Sequence, residues 1–376
     1  MDAVESVRDT LEAGAEEGEE TGTLPQSSVD ALYDSGLLRL KMPYVLGGAE
    51  ADLVTQLDVL EAVCEIEPSA GWCLMIGAAS MGGVGAFLPD DAIEEIFADG
   101  NPPKTAGVFA PFGKAVPVDG GYLLSGRWSF ASGIRHSNWI SAGARVITEK
   151  PGHPSQVRAT VRTADVKIHD NWHVMGLRGT GSCDFSVENL FVPTSFAYDV
   201  SLTEPLRGGP IYRLGRPGFV TNEHSAFALG VARRALNTAL EVGQSKTRGY
   251  TSVNPLARRP AFQRMLSEAD LRLRATRLLN VEVLEGASRA VNEGHPPDPL
   301  LQTEMRSLCS YTTDVAVDIV TQAFRFAGGA ALFDDSILQR CLRDINAGAQ
   351  HQMVSDAAYE NHGQFMLNLP DARVME

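Results

Sequence analysis

Between Gly126 and Trp139 the chain sets Trp128, Phe130 and Trp139 around the small, hydrogen-bonding run Ala131-Ser132-Gly133. Flat rings beside exposed backbone amides and a hydroxyl suit a planar heteroaromatic ligand with polar edges. The same residues also make an ordinary strand–turn–strand with buried aromatics, so the segment alone leaves both readings open. A second group stands near the C-terminus, Arg340-Cys-Leu-Arg-Asp-Ile-Asn-Ala-Gly-Ala-Gln-His351. Histidine suits proton handling because its unperturbed pKa lies near neutrality; the plainer alternative is a satisfied histidine at a helix seam. Upstream, Phe324-Arg-Phe-Ala-Gly-Gly329 ends on a glycine pair. Gly328 and Gly329 either let amides approach a phosphate or simply end a helix.

Other chemistries find little support. No Gly-x-Gly-x-x-Gly follows a strand, which argues against a dinucleotide-binding crossover. No Gly-x-Ser-x-Gly elbow occurs. His169 and His173 are spaced for one helix face, yet Asp170-Asn171-Trp172 between them has loop character, so no metal site is expected.

The positioning elements fall in three blocks. A helical block covers 1–101, with helices expected from Val29 to about Gly36, Asp52 to Glu65, Ser69 to Phe87 and Pro89 onward. The third is nearly all apolar and rich in Gly and Ala, which marks a buried helix that another backbone or a ligand can approach closely. A β block covers 102–205, where short alternating runs such as Arg158-Ala-Thr-Val-Arg predict a small barrel or sandwich. A third block, 206–376, predicts four long helices at about 222–248, 260–293, 298–327 and 336–367, an antiparallel bundle. The expected fold class is mainly α with a central β domain.

Of 376 residues 44% are hydrophobic, enough for a sizeable core. A net charge of −15 repels nucleic acid. No apolar run is expected to span a bilayer, and the acidic N-terminus shows no basic leader. Five scattered cysteines make neither a disulfide framework nor a metal set, and fit a reducing cytoplasm.

Helical, β and four-helix blocks in that order, with Arg248, the Gly328-Gly329 pair, the Arg343-Asp344 pair and the 128–139 segment, resemble the acyl-CoA dehydrogenase fold over nearly the whole chain. One departure decides the branch. Where the dehydrogenases carry the Glu that removes the α-proton of a thioester, this chain has Gln352, with His351 before it; Gln cannot act as a base at neutral pH. Gly120-Gly-Tyr-Leu-Leu-Ser-Gly-Arg-Trp-Ser-Phe-Ala-Ser-Gly133 and Ile66-Glu-Pro-Ser-Ala-Gly-Trp72 are similar to the two-component flavin-dependent monooxygenases that share the fold, the group of the 4-hydroxyphenylacetate and steroid-ring hydroxylases.

That resemblance implies an oxygenase component using O2 and reduced FMN or FAD supplied by a separate NAD(P)H:flavin reductase. It would hydroxylate a phenolic or polycyclic aromatic, through a hydroperoxide at the flavin C4a carbon, in specialised metabolism or catabolism. It implies a cytoplasmic homotetramer that binds neither nucleic acid nor membrane. The resemblance puts Phe109, Gly113, Phe130, Ala131, Ser132, Gly133, Arg248, Gly328 and Gly329 at the flavin, with Ser132 and His351 catalytic. His351 would hydrogen-bond or deprotonate a substrate hydroxyl; Ser355 and His362 are alternatives on the same expected helix, and His136 is expected to be structural. A dehydrogenase or oxidase with a relocated base, or a non-catalytic relic, are the rival readings.

Overall fold

The computed structural model describes residues 1–98, 102–245 and 255–375. Five helices come first: α1 (Asp2–Thr21), α2 (Gln26–Asp34), α3 (Leu53–Ile66), α4 (Pro68–Phe87) and α5 (Asp90–Ile96). The Asp52 carboxylate starts α3 by accepting from the amides of Val54 and Thr55, both at 3.0 Å. Glu67 caps the Ala70 amide in the same way, and Pro68 opens α4 without losing a hydrogen bond.

Two helices, Pro68–Phe87 and Pro299–Leu332, are long and apolar enough to cross a membrane by length and composition, against the sequence expectation. The first is a core element, with 89% of its apolar window buried inside the protein.

Seven strands follow: β1 (Thr105–Val118), β2 (Gly121–Trp128), β3 (Trp139–Val146), β4 (Gln156–Arg162), β5 (Lys167–Ile168), β6 (Phe185–Pro193) and β7 (Ala197–Asp199). They form one sheet in the order β5-β6-β2-β1-β3-β4-β7, rather than a closed barrel or two packed sheets. All neighbours are antiparallel except β1 and β3, which run parallel. The register of β1 slips between Val108 and Gly113, so 109–112 is a bulge inside the strand. Trp128 anchors the sheet's own core. Its ring stacks on Phe185 at 4.8 Å, its indole N–H donates to Gly143 O at 2.7 Å, and Gly113 and Gly126 leave the room it fills.

The remaining helices are α6 (Gly218–Ser245), α7 (Pro260–Asn292), α8 (Pro299–Ala327), α9 (Ile337–Gly348) and α10 (Ala357–Met366). One apolar core runs through the N-terminal helices and this bundle together, and the sheet keeps a separate one. Inside the shared core Lys41 Nζ meets Glu223 Oε1 of α6 at 2.6 Å and also donates to Phe219 O.

The fourth bundle helix is broken where the sequence predicted continuity over 336–367. α9 stops at Gly348, whose missing side chain makes way for the Phe227 ring. His351 then adopts an extended backbone, and its Nδ1 accepts from the Met353 amide at 3.2 Å to start a short turn, Gln352–Val354. A side chain that satisfies a nearby amide competes with the helix ladder, and here it ends the helix.

Candidate active site

Trp72 of α4 is the hub. Its ring lies 5.8 Å from that of His351, 5.5 Å from that of His224 on α6, and 4.9 Å from that of Phe227. The two imidazoles sit 4.3 Å apart at 32°. Toward the sheet, Trp72 Nε1–H donates to Ser132 Oγ at 3.0 Å. Ser132 Oγ meets Ser182 Oγ at 2.7 Å, and Ser182 Oγ meets Thr180 Oγ1 at 2.6 Å. Thr180 ends the chain by donating to Leu177 O at 2.8 Å.

Both ends fix the direction of this relay. An indole N–H can only donate and a carbonyl can only accept. Each hydroxyl therefore passes its proton onward: Ser132 to Ser182, Ser182 to Thr180, Thr180 to Leu177. Such one-way chains polarise every member. The proton of Ser132 is committed, and what Ser132 has to spare is acceptor capacity.

The backbone of the turn is committed too. The amides of Ala131, Ser132 and Gly133 donate to Cys183 O, Phe130 O and Thr180 O. The exposed amides expected from the sequence are absent; the loop at 180–183 folds over the turn and takes those of Ala131 and Gly133, while the Ser132 amide is satisfied within the turn. Phe130 supplies the flat surface instead. Its φ is +67°, and its ring is 67% exposed beside Trp172, 6.2 Å away. A bulky residue held in the left-handed region with its ring in solvent is strained, and such strain clusters at binding sites. An exposed ring next to a buried acceptor fits a planar heteroaromatic group with a polar edge.

Leu177 ties this turn to the bundle. Its amide donates to Asp344 Oδ1 at 2.6 Å, and Arg343 reaches Met175 O at 2.7 Å and Glu19 at 2.6 Å. Burial pushes the Asp344 carboxyl up to about 7. The Arg343-Asp344 pair is thus a clamp on residues 175–177.

His351 is neutral around pH 7, because burial pulls its pKa down to about 4. With Nδ1 accepting from Met353, the neutral ring carries its proton on Nε2. Burial, followed by the His351 and Lys41 charges, holds His224 well below its ordinary value. Among the described residues, the His351 side chain meets the Trp72 and His224 rings and the Met353 amide, none of them a carboxylate.

The other expected residues divide. Gly113 lies under Trp128. Phe109 carries the Arg158 guanidinium on its ring face at 3.7 Å. Gly328 has a φ of +63°, and a side chain at Gly329 would meet open space, so this pair can approach a ligand. Arg248 lies outside the described residues. Ser355 accepts from Arg306, and His362 pairs with Ser307 at 3.2 Å, so the helix break separates both from His351. His136 is buried against Gly133 and pulled down to about 4 by burial and then Lys104. His169 pairs with Ser186 at 2.8 Å; among the described residues no group of three or more His, Cys, Asp and Glu could hold a metal ion.

The sequence did not mark His224, Ser182 or Thr180 as site residues. One signal was available for the first: Thr221-Asn-Glu-His-Ser225 is a polar run in an apolar helix, and all five side chains are buried.

Residues 223–356 match the family model described as the acyl-CoA dehydrogenase C-terminal domain. The chain is 28% identical over 365 residues to the indole-3-acetate monooxygenase of Pseudomonas putida, covering 96% of this chain and 91% of that one. It is 29% identical to the flavin-dependent monooxygenase oxygenase subunit HsaA of Rhodococcus jostii, covering 98% of each. The crystal structure of the 3-HSA hydroxylase from Rhodococcus sp. RHA1 superposes with a TM-score of 0.92 at 27% identity, over 100% of this chain and 98% of that one. Over nearly its whole length the chain is thus similar to flavin-dependent monooxygenases, and it has the acyl-CoA dehydrogenase fold.

Proposed function

We propose that this protein is the oxygenase component of a two-component system and hydroxylates an aromatic molecule between Trp72, His351 and the flavin. One observation carries the choice of oxygenation over thioester oxidation: a neutral imidazole pair, with no carboxylate hydrogen-bonded to it among the described residues, borders Trp72. Reduced flavin, when bound, supplies the electrons that activate O2. The protein's work is to hold that flavin, exclude water and orient the substrate.

Phe130 would stack near the ring, Gly328, Gly329 and Arg248 would reach its phosphates, and the Ser132 hydroxyl would meet N5. Reduced flavin bears a hydrogen at N5 where the oxidised form bears a lone pair. A site whose serine can accept, and whose turn amides are all occupied, therefore prefers the reduced form. His351 would act as a donor: its Nε2–H stabilises an ionised phenolic oxygen, which enriches the ring carbon that is attacked. Deprotonation by His351 would require Nδ1 to leave the Met353 amide.

The sequence carries no nicotinamide-binding motif, so a separate NAD(P)H:flavin reductase would deliver the flavin. The naming of the Rhodococcus jostii relative as an oxygenase subunit supports that division of labour. The indole-3-acetate relative supports an aromatic substrate. A homotetramer working in the cytoplasm completes the reading; five buried, unbridged cysteines support the compartment alone.

The test is flavin selectivity. The purified protein should be nearly colourless and should bind reduced FMN or FAD more tightly than the oxidised form. Ser182→Ala removes the acceptor of the Ser132 proton and frees that proton for oxidised N5. The preference for reduced flavin should then fall about tenfold, one hydrogen bond's worth. A yellow protein with tight oxidised FAD, or a preference untouched by Ser182→Ala, overturns the assignment.

A further inference from the structure

Oxidation beside His351 leaves one substrate proton without an acceptor. A ring hydroxyl that feeds charge into its ring must release its hydrogen. His351 spends its lone pair on the Met353 amide and offers only a donor. A second group with a lone pair has to face the same oxygen.

His224 of α6 has one. It is buried, at 4% exposure, within the polar run Thr221–Ser225. Its neighbours in that run are engaged. Thr221 Oγ1 donates to Gly218 O at 3.3 Å, Asn222 donates to Gln56 Oε1 at 2.9 Å, and Glu223 meets Lys41 Nζ at 2.6 Å. Among the described residues, no hydrogen bond reaches either ring nitrogen of His224. The fully enclosed side-chain atoms without a partner lie elsewhere, at Ser80, His136 and Asn222 among others, so the His224 nitrogens border open space. An unpaired imidazole in a core costs free energy that an apolar side chain of similar size would not. Its partner must therefore come with a ligand.

The place of the ring says which ligand. Its centre is 4.3 Å from that of His351 and 5.5 Å from that of Trp72, whose indole N–H reaches Ser132. A hydrogen bond spans about 3 Å, so one oxygen can serve two nitrogens about 5 Å apart, which these ring centres allow. Burial, followed by the His351 and Lys41 charges, keeps His224 neutral, with one N–H and one lone pair.

We propose that His224 is a second catalytic residue, whose lone pair takes the hydrogen of the substrate's ring hydroxyl while His351 Nε2–H holds the same oxygen. This rests on the reading that an aromatic is hydroxylated beside Trp72. The added oxygen atom comes from O2, reduced by the flavin. As the ring carbon is attacked, the hydroxyl O–H breaks, its electron pair forms a carbonyl, and its proton passes to His224. Attack makes that hydroxyl strongly acidic, so a weak neutral base suffices. The attacked carbon then loses its hydrogen to water, the ring regains aromaticity, and the carbonyl oxygen recovers a proton from the imidazolium. Burial and Lys41 disfavour the imidazolium and so favour this return.

The test is anaerobic isothermal titration of the full chain, loaded with reduced FMN or FAD, with phenol, 4-ethylphenol and 2-naphthol, each against its methyl ether. An ether still accepts from His351 but has no hydrogen for His224. At least one hydroxyl should be held at least about tenfold tighter than its ether. The ratio should fall to near one in His224→Leu and persist in His224→Gln, whose amide oxygen accepts the same bond. His351→Ala should weaken hydroxyl and ether alike. On adding O2, His224→Gln should give about 100-fold less product per reduced flavin, because an amide cannot take the proton. A merely structural histidine would leave the hydroxyl-to-ether ratio intact. No hydroxyl preferred in the wild-type protein, a ratio unchanged in His224→Leu, or full product yield in His224→Gln overturns the proposal. Should His224→Leu fail to fold, the split in His224→Gln between kept ratio and lost product decides; should no probe be oxidised, the affinity ratios decide. If O2 still oxidises the bound flavin while no hydroxyl is preferred, only the role of His224 fails; if reduced flavin does not bind, the oxygenase reading fails with it.

Discussion

Replacing His351 by Ala should cut hydroxylated product per reduced flavin by about 100-fold or more, the scale of a lost acid–base or orienting group. Reduced flavin should still be oxidised by O2, its two electrons and two protons leaving as hydrogen peroxide. The measurement is the ratio of product to peroxide with the native substrate. An unchanged ratio removes His351 from the mechanism. Stability gives an independent check on its protonation state. Burial depresses the native pKa from 6.5 to about 4. A neutral buried ring contributes fully above the unfolded pKa, and that contribution is lost as pH falls from 6.5 toward 4. Relative to His351→Ala, the wild-type protein should therefore lose about 1.4 kcal/mol per pH unit across that window, read from urea melts. A constant difference would mean that the imidazole is not held neutral.

Lys41→Met should destabilise the fold by about 3–5 kcal/mol, because it leaves Glu223 in the core without its partner. Burial has already raised the Glu223 carboxyl to about 7. Protonation limits the loss at low pH, so the cost should grow from pH 6 to pH 8. Replacing both residues, as Lys41→Met with Glu223→Leu, should recover most of the stability, since the penalty belongs to the unpaired charge. Glu223 adjoins His224, so Lys41→Met should also raise the peroxide share. Denaturant titration at the two pH values checks the first effect; a cost below about 1 kcal/mol would show that the pair is not the tie it is taken to be.

Much of the frame was legible in the sequence because its signals are local. Apolar residues at helical spacing from Asp52 to Glu65 marked a helix, and α3 forms there with Asp52 as its cap. The Gly- and Ala-rich run after Pro68 marked a buried helix, and α4 lies in the core. Phe130, Ser132 and His351 stood out by residue type, and Trp72 joins the second and third of them. The pairing itself was not legible. Trp72 and Ser132 are 60 residues apart, and Ser132 and Ser182 are 50 apart, distances over which periodicity says nothing. The helix break before His351 was hidden because Gly348 is tolerable in a helix, and only its packing against Phe227 shows why the chain turns there. The turn at Ala131–Gly133 promised free amides for the same reason: the carbonyls that occupy those of Ala131 and Gly133 come from a loop some 50 residues later.

The most direct test mixes the anaerobic protein, loaded with reduced FMN or FAD, with oxygenated buffer in a stopped-flow spectrometer. A transient absorbing at shorter wavelength than oxidised flavin, formed before the oxidised spectrum returns, is the predicted result. In a parallel anaerobic run, oxidised FAD and a saturated acyl-CoA should show no bleaching. Direct return to oxidised flavin with no transient, together with bleaching by the acyl-CoA, would contradict the account.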